Sequence, residues 1–341
     1  MGVVPMIPLR ATFTLAGVAW LALAGPGRAA APAIGAAPVA GEVRALPPLR
    51  APTTTASLAR PAVPPDPAQL TLNRQVAAIR AMMATEVPGV LHPPISVVAA
   101  AATRAARLLH ATGTTIDTPQ LVVVVDRNPG AELLQVMVAE PDPRGTLWMS
   151  VGATKVSTGQ AGRKDYYITP VGVFAHTDAI LDFRALGTVN ENGVRGLGIA
   201  GLRVWDFGWR WAVKGWRSDG DSGDIRLQMH GTDPDLLEGR LGRPASEGCV
   251  RVSTAMNRFM DRHGILDADY EHAAIDDVSY RALLLPNRVP SPLAGRLLIV
   301  IDSHLPLDTP PTQASRPADW PDPDQPTPTP TPADPVSALT P

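Results

Sequence analysis

Two periodicities divide the chain. Asn73–Thr85 sets Val76, Ala77, Ile79, Met82 and Met83 on one broad face and stops at Pro88-Gly89. Ser96–Thr112 does the same with Val97, Val98, Ala101, Ala105, Leu108 and Leu109, and stops at Gly113. Both predict helices that pack as a pair on a neighbour. From Leu121 the period shortens to that of strands. Leu121–Val125 is a continuous apolar run, the signature of a strand covered on both faces. Leu133–Val138 and Thr146–Val156 follow, separated by the turn residues Asn128-Pro-Gly and Pro143-Arg-Gly. Tyr166–Phe174 is interrupted by Pro170 and Gly172 and suits an edge strand or a bend. Leu297–Ile301 is the last strand.

The middle of this region is aromatic. Trp205, Phe207, Trp209 and Trp211 alternate with Asp206, Gly208 and Arg210, so an unbroken strand would carry all four rings on one face. They would form either core or a wall beside a binding groove. Ile225, Leu227 and Met229 alternate up to His230 as another strand. Ser253–His263 predicts a helix with Ser253 as N-cap, Ala255, Met256, Phe259 and Met260 inward, and Gly264 at its end. Many strands, frequent turns and few helices predict a mainly β, sandwich-like domain.

Proline sets the domain limits. Twelve of the 37 prolines fall in residues 1–70 and another twelve in 303–341, leaving the centre with an ordinary share. The expected organisation is a linker over 32–67, a helical appendage over 68–118, the β domain over 119–302, and a Pro/Thr-rich flexible tail over 303–341. Residues 1–31 carry the marks of a cleaved export signal: Arg10, the apolar stretch Ala11 to Gly25, then small residues from Gly27 to Ala31. A mostly apolar stretch of fifteen residues falls short of the roughly 20 that span a membrane, so no stable span is expected and the periplasm or cell envelope is the expected compartment. Net charge is −2, with no basic stretch that suggests nucleic acid.

Export makes the lone cysteine informative. Cys249 has no partner in the chain for a disulfide. It lies in Ser246-Glu247-Gly248-Cys249-Val250-Arg251, a loop away from His230-Gly231-Thr232. A thiol is a strong nucleophile as thiolate, and an imidazole can take its proton. Gly248 permits close backbone approach, and Arg251 would project to the same side as Cys249 and could hold a carboxylate. His92 and His110 have no metal-ligand company, and the aspartates of residues 217–224 lack a closing Glu.

These paired motifs resemble the L,D-transpeptidase (YkuD-type) catalytic domain of bacterial cell-wall enzymes. Val156-Ser-Thr-Gly-Gln160 and Thr169-Pro-Val-Gly-Val-Phe174 resemble the family's strands ahead of the site, so the likeness covers roughly residues 119–302. One position departs from the family: Glu247 stands where its pattern has a second histidine. A carboxylate there would raise the thiol pKa, opposed by His230 and Arg251. The resemblance implies Cys249 as nucleophile and His230 as base, its second ring nitrogen bonded to the Gly231 carbonyl. Gly248 and Cys249 amides would hold the oxyanion in a turn that includes Ser246. Arg251, Thr232 and Glu247 would meet substrate. That substrate would be a peptidoglycan stem peptide cut at the L-centre of diaminopimelate with release of D-alanine, without metal or cofactor. Transfer to a stem amine, transfer to a wall-anchored protein, hydrolysis as an L,D-carboxypeptidase, and stem binding without turnover remain alternatives.

Overall fold

The structure is a computed structural model that describes residues 66–312. The expected export signal, the linker as far as residue 65 and the tail from residue 313 lie outside the described residues.

The first helix, α1 (Pro67–Glu86), begins six residues before the apolar periodicity does. Asp66 accepts the Ala68 amide at 3.0 Å and Pro67 occupies the first helical position, where a missing N–H costs nothing. The second, α2 (Ile95–Ala111), matches its expected span closely. Strands β1 (Gln120–Asp126), β2 (Leu133–Asp142), β3 (Gly145–Lys155), β4 (Gly172–Ala175) and β9 (Leu297–Ile301) form one sheet in the order β3-β2-β1-β9-β4. Its one parallel pair is β1 with β9, so the last strand of the described chain sits inside the sheet and β4 at its edge. Strands β5 (Phe183–Arg184), β6 (Arg203–Val213), β7 (Ser222–Gly231) and β8 (Val250–Val252) form a second sheet in that order, with β7 and β8 parallel. Helices α3 (Thr254–Arg262), α4 (Ala268–Ala273) and α5 (Val278–Leu283) follow β8. The architecture is mixed and sheet-rich.

Alternation explains the layering. Leu121, Val123 and Val125 of β1 join a core shared with Trp205, Phe207, Leu227, Met229, Val250 and Val252 of the second sheet. Val122 and Val124 enter a separate core under α2 with Val98, Ala105 and Leu109. This is why β1 is apolar without a break. Leu72, Val76, Ile79 and Met83 of α1 belong to the core between the sheets, so the helices expected as an appendage are packed into the β structure. Residues 303–312, expected as the start of a flexible tail, are held too: Arg104 donates to the Leu305 carbonyl at 2.9 Å, and Thr312 bonds both polar groups of the Val171 backbone.

The four aromatic rings of β6 do not share a face. Asp206 pairs with Gln228 but Trp209 with Arg226, so β6 has one residue more than β7 across this interval. The extra residue sits at Gly208, with φ of +77° and its amide bonded to Asp206 Oδ1 at 2.8 Å. Trp205 and Phe207 therefore lie fully buried between the sheets, whereas Trp209 and Trp211 are half-buried opposite Arg226 and Asp224 on the outer face.

Buried charge pins the second sheet to the helices. Arg203, fully buried at the start of β6, lies 2.8 Å from Asp182, 3.5 Å from Asp267 and 3.7 Å from Asp261. His176 bonds Asp182 at 2.8 Å through one ring nitrogen and the Leu266 carbonyl at 2.8 Å through the other. Burial alone would lower the His176 pKa, but the hydrogen bond and charge of Asp182, with Asp267 behind, hold it above its usual value. Arg288 joins Asp267 at 2.5 Å.

Candidate active site

The parallel pairing of β7 with β8 builds the site. His230 pairs with Arg251, and buried Met229 with buried Val250. Side chains alternate along a strand, so Cys249 and Arg251, flanking Val250, share the outer face with Gln228 and His230. Parallel strands need a long connection, and Thr232–Cys249 provides one of eighteen residues. The helix that follows is fixed directly behind: Ser253 Oγ accepts the Met256 amide at 3.1 Å.

His230 is 3% exposed, and its Nδ1 lies 2.6 Å from the Gly231 carbonyl. A carbonyl only accepts, so Nδ1 carries the proton and Nε2 keeps its lone pair. Burial is the main effect on this ring and lowers its pKa to about 4, with Arg251 adding to it. Residues 195–198 pack against the backbone that follows His230. A Cβ on Gly198 would lie 3.2 Å from both the Gly231 carbonyl carbon and the Thr232 oxygen, and Arg195 donates its amide to Asp233 at 2.9 Å.

Cys249 sits on a tightly bonded turn. Ser246 Oγ donates to the Cys249 carbonyl at 2.6 Å and accepts the Gly248 amide at 3.2 Å. Thr169 Oγ1 donates to the Gly248 carbonyl at 2.7 Å, and Tyr167 N–H to the Glu247 carbonyl at 3.1 Å. Gly248 has φ of +131°, and a Cβ there would meet Ile225 at 3.0 Å. The Cys249 sulfur lies 3.7 Å from the Arg226 carbonyl. Burial pushes the thiol pKa up, and Glu247 and Asp206 add to that. The Gln228 amide and Arg251 oppose it. At rest the thiol and the imidazole are therefore both neutral.

The remaining expected residues divide. Arg251 Nη1 donates to the Ala245 carbonyl at 2.9 Å, bracing the turn, while its Nε is buried without a partner. Glu247 is exposed. Thr232, expected to meet substrate, is fully buried, with Gly198 against its carbonyl oxygen. The Gly248 amide is taken up by Ser246, which leaves the Cys249 amide as the donor of the expected oxyanion pair. Sequence reasoning did not single out Asp206, whose carboxylate accepts from Arg226 Nε at 2.9 Å and Gln228 Nε2 at 3.1 Å on the face that carries Cys249. Its alternation with tryptophans marked a strand but gave no sign of the bulge beside it.

Among the described residues no group of three or more His, Cys, Asp or Glu side chains is placed to hold a metal ion. No helix among them is long and apolar enough to cross a membrane. No protein-family model matches the chain, and no curated protein matches it.

Proposed function

We propose that the protein is a cysteine-dependent L,D-transpeptidase of peptidoglycan, with the two sheets forming an L,D-transpeptidase-like β-sandwich. The observation that carries this reading is the His230 Nδ1–Gly231 carbonyl bond, which leaves Nε2 as a base on the sheet face where the β7–β8 pair presents Cys249. Residues 1–31 export the chain to the cell envelope, where stem peptides are met.

In this reading Nε2 of His230 takes the Cys249 proton as the sulfur attacks the carbonyl of the L-centre of diaminopimelate. The oxyanion faces the Cys249 amide, a donor of a kind that contributes about 3–4 kcal/mol in other acyl-transfer sites. Histidinium then gives its proton to the departing D-alanine nitrogen, leaving a thioester. A stem amine attacks the thioester, His230 takes the proton released from that amine, and the thiol recovers it. Proton transfer thus accompanies attack, because neither group is charged at rest. The outer face of β6 and β7, with Trp209, Trp211, Arg226 and Gln228, is the groove wall, and Arg251 offers a cation for a stem carboxylate.

The test is acylation by a carbapenem followed by intact-mass measurement. Wild type should gain one adduct and Cys249→Ala none. Equal adducts on both proteins, or none on wild type, would remove the nucleophile assignment. Release of D-alanine from a tetrapeptide stem, with a cross-linked product, separates transfer from hydrolysis.

A further inference from the structure

Glu132 is a costly residue that the chemistry above does not use. It ends the connection from β1 to β2 with φ of +39°, in the left-handed region, and its side chain is fully buried. A glycine or asparagine would meet the backbone requirement more cheaply, so the carboxyl group itself must be holding something. Thr158 donates its amide at 2.7 Å and its hydroxyl at 2.5 Å to the two carboxyl oxygens. The Thr158 carbonyl then accepts the amides of Ala245 at 3.1 Å and Ser246 at 2.9 Å. Ser157 and Arg251 exchange backbone hydrogen bonds at 3.1 and 2.9 Å. Gly159 N–H binds Thr169 Oγ1 at 2.9 Å, the same hydroxyl that holds the Gly248 carbonyl. One short segment, residues 156–160, therefore links Glu132 to several of the bonds that shape the Cys249 turn.

We propose that Glu132 is a positioning residue for the catalytic turn: its carboxyl group fixes Thr158, and residues 156–160 fix Ser246–Cys249 against His230. The chemistry of this proposal rests on the transpeptidase reading, but its geometry does not. The charged groups facing the carboxyl are Asp126 at the end of β1, Asp302 beyond β9, and Arg127, which pairs with Asp302 at 3.0 Å. Burial dominates and, with the two aspartates, outweighs the Thr158 bonds to raise the Glu132 pKa to about 8. Below that pH the carboxyl group keeps both Thr158 bonds without a buried charge. Above it a buried charge loosens the segment that the turn leans on.

The experiment follows Cys249 alkylation by iodoacetamide and acylation by a carbapenem from pH 6 to 10, in wild type, Glu132→Gln and Glu132→Ala. At pH 7 Glu132→Gln should react within about threefold of wild type and Glu132→Ala about tenfold or more slowly, the scale of loss that small misplacements cause. The ratio of Glu132→Gln to wild type should then rise at least about fivefold between pH 7 and pH 9.5, because glutamine cannot ionise. A constant ratio across that range overturns the proposal even if Glu132→Ala fails to fold. A wild type that resists carbapenem, with the iodoacetamide ratio rising as expected, would sink the transpeptidase reading and leave the positioning role standing.

Discussion

Removing the guanidinium of Arg203 is the sharpest test of how this fold is held together. Arg203→Met keeps a long apolar stem but deletes a fully buried cation that lies within 4 Å of Asp182, Asp261 and Asp267. His176 and Arg288 remain, as does Arg184 on Asp261 at 2.9 Å, but the buried carboxylates are then undercompensated. Breaking a buried pair from one side typically costs about 3–5 kcal/mol, chiefly because the partner charge stays buried. At about 2–4 °C per kcal/mol for a domain of this size, the melting temperature should fall by about 6–20 °C. The pH dependence has a definite sign. Burial alone would raise the Asp182 pKa, but His176 and Arg203 more than offset it and depress the value. Its contribution is thus present above the unfolded carboxylate pKa and lost as pH falls through the folded one. The gap between wild type and Arg203→Met should be widest near neutrality and narrow in acid. Urea unfolding at pH 7 and pH 3 measures it, with Arg296→Ala as control. Arg296 is half exposed and 3.3 Å from Asp269, a pair worth less than about 1 kcal/mol. An Arg203→Met protein within about 1 kcal/mol of wild type at pH 7, or a gap that widens in acid, would refute the reasoning.

Three further outcomes are expected. His230→Ala should keep its far-UV spectrum and slow carbapenem acylation by about 10²–10⁴; since burial holds His230 neutral down to about pH 4, the wild-type rate should stay level through the neutral range with no acid limb above pH 5. Glu247→Gln removes an exposed charge that raises the Cys249 pKa, so iodoacetamide profiles should shift to lower pH by less than about one pH unit, and an unchanged or higher midpoint would rule that influence out. Gly208→Ala forces a Cβ to within 2.9 Å of Ile180 at φ of +77° and should cost about 1–3 kcal/mol in urea unfolding, a cost absent if the bulge relaxes.

What could be read from the chain was whatever local pattern encodes. The apolar run at Leu121, the hairpin turn at Pro143-Arg144 and the Ser253 cap all specify structure from neighbouring residues, and they appear where expected. The candidacy of His230 and Cys249 was legible for another reason: an odd thiol and a strand-ending imidazole stood out against an otherwise unremarkable background. Long-range compensation was not legible. His176, Asp182, Arg203 and Asp267 span 92 residues, and each alone reads as an ordinary surface residue. Glu132 had the same disguise, since only the folded chain shows that its partner is Thr158. The bulge at Gly208 was missed because one extra residue reverses a two-residue alternation without changing its composition.

The eighteen-residue excursion between β7 and β8 also makes the cysteine a clock. No local contact can bring β8 to its place, so closing that loop must precede any gain from strand pairing, and non-local contacts of this kind form slowly. Until they form, the one sulfhydryl of the unfolded chain is open to oxidants and stray thiols; afterwards the sheet partly encloses it. A brief pulse of alkylating reagent applied at intervals during refolding would therefore time the docking of the final strand of its sheet, with the protein's own thiol as the only label required.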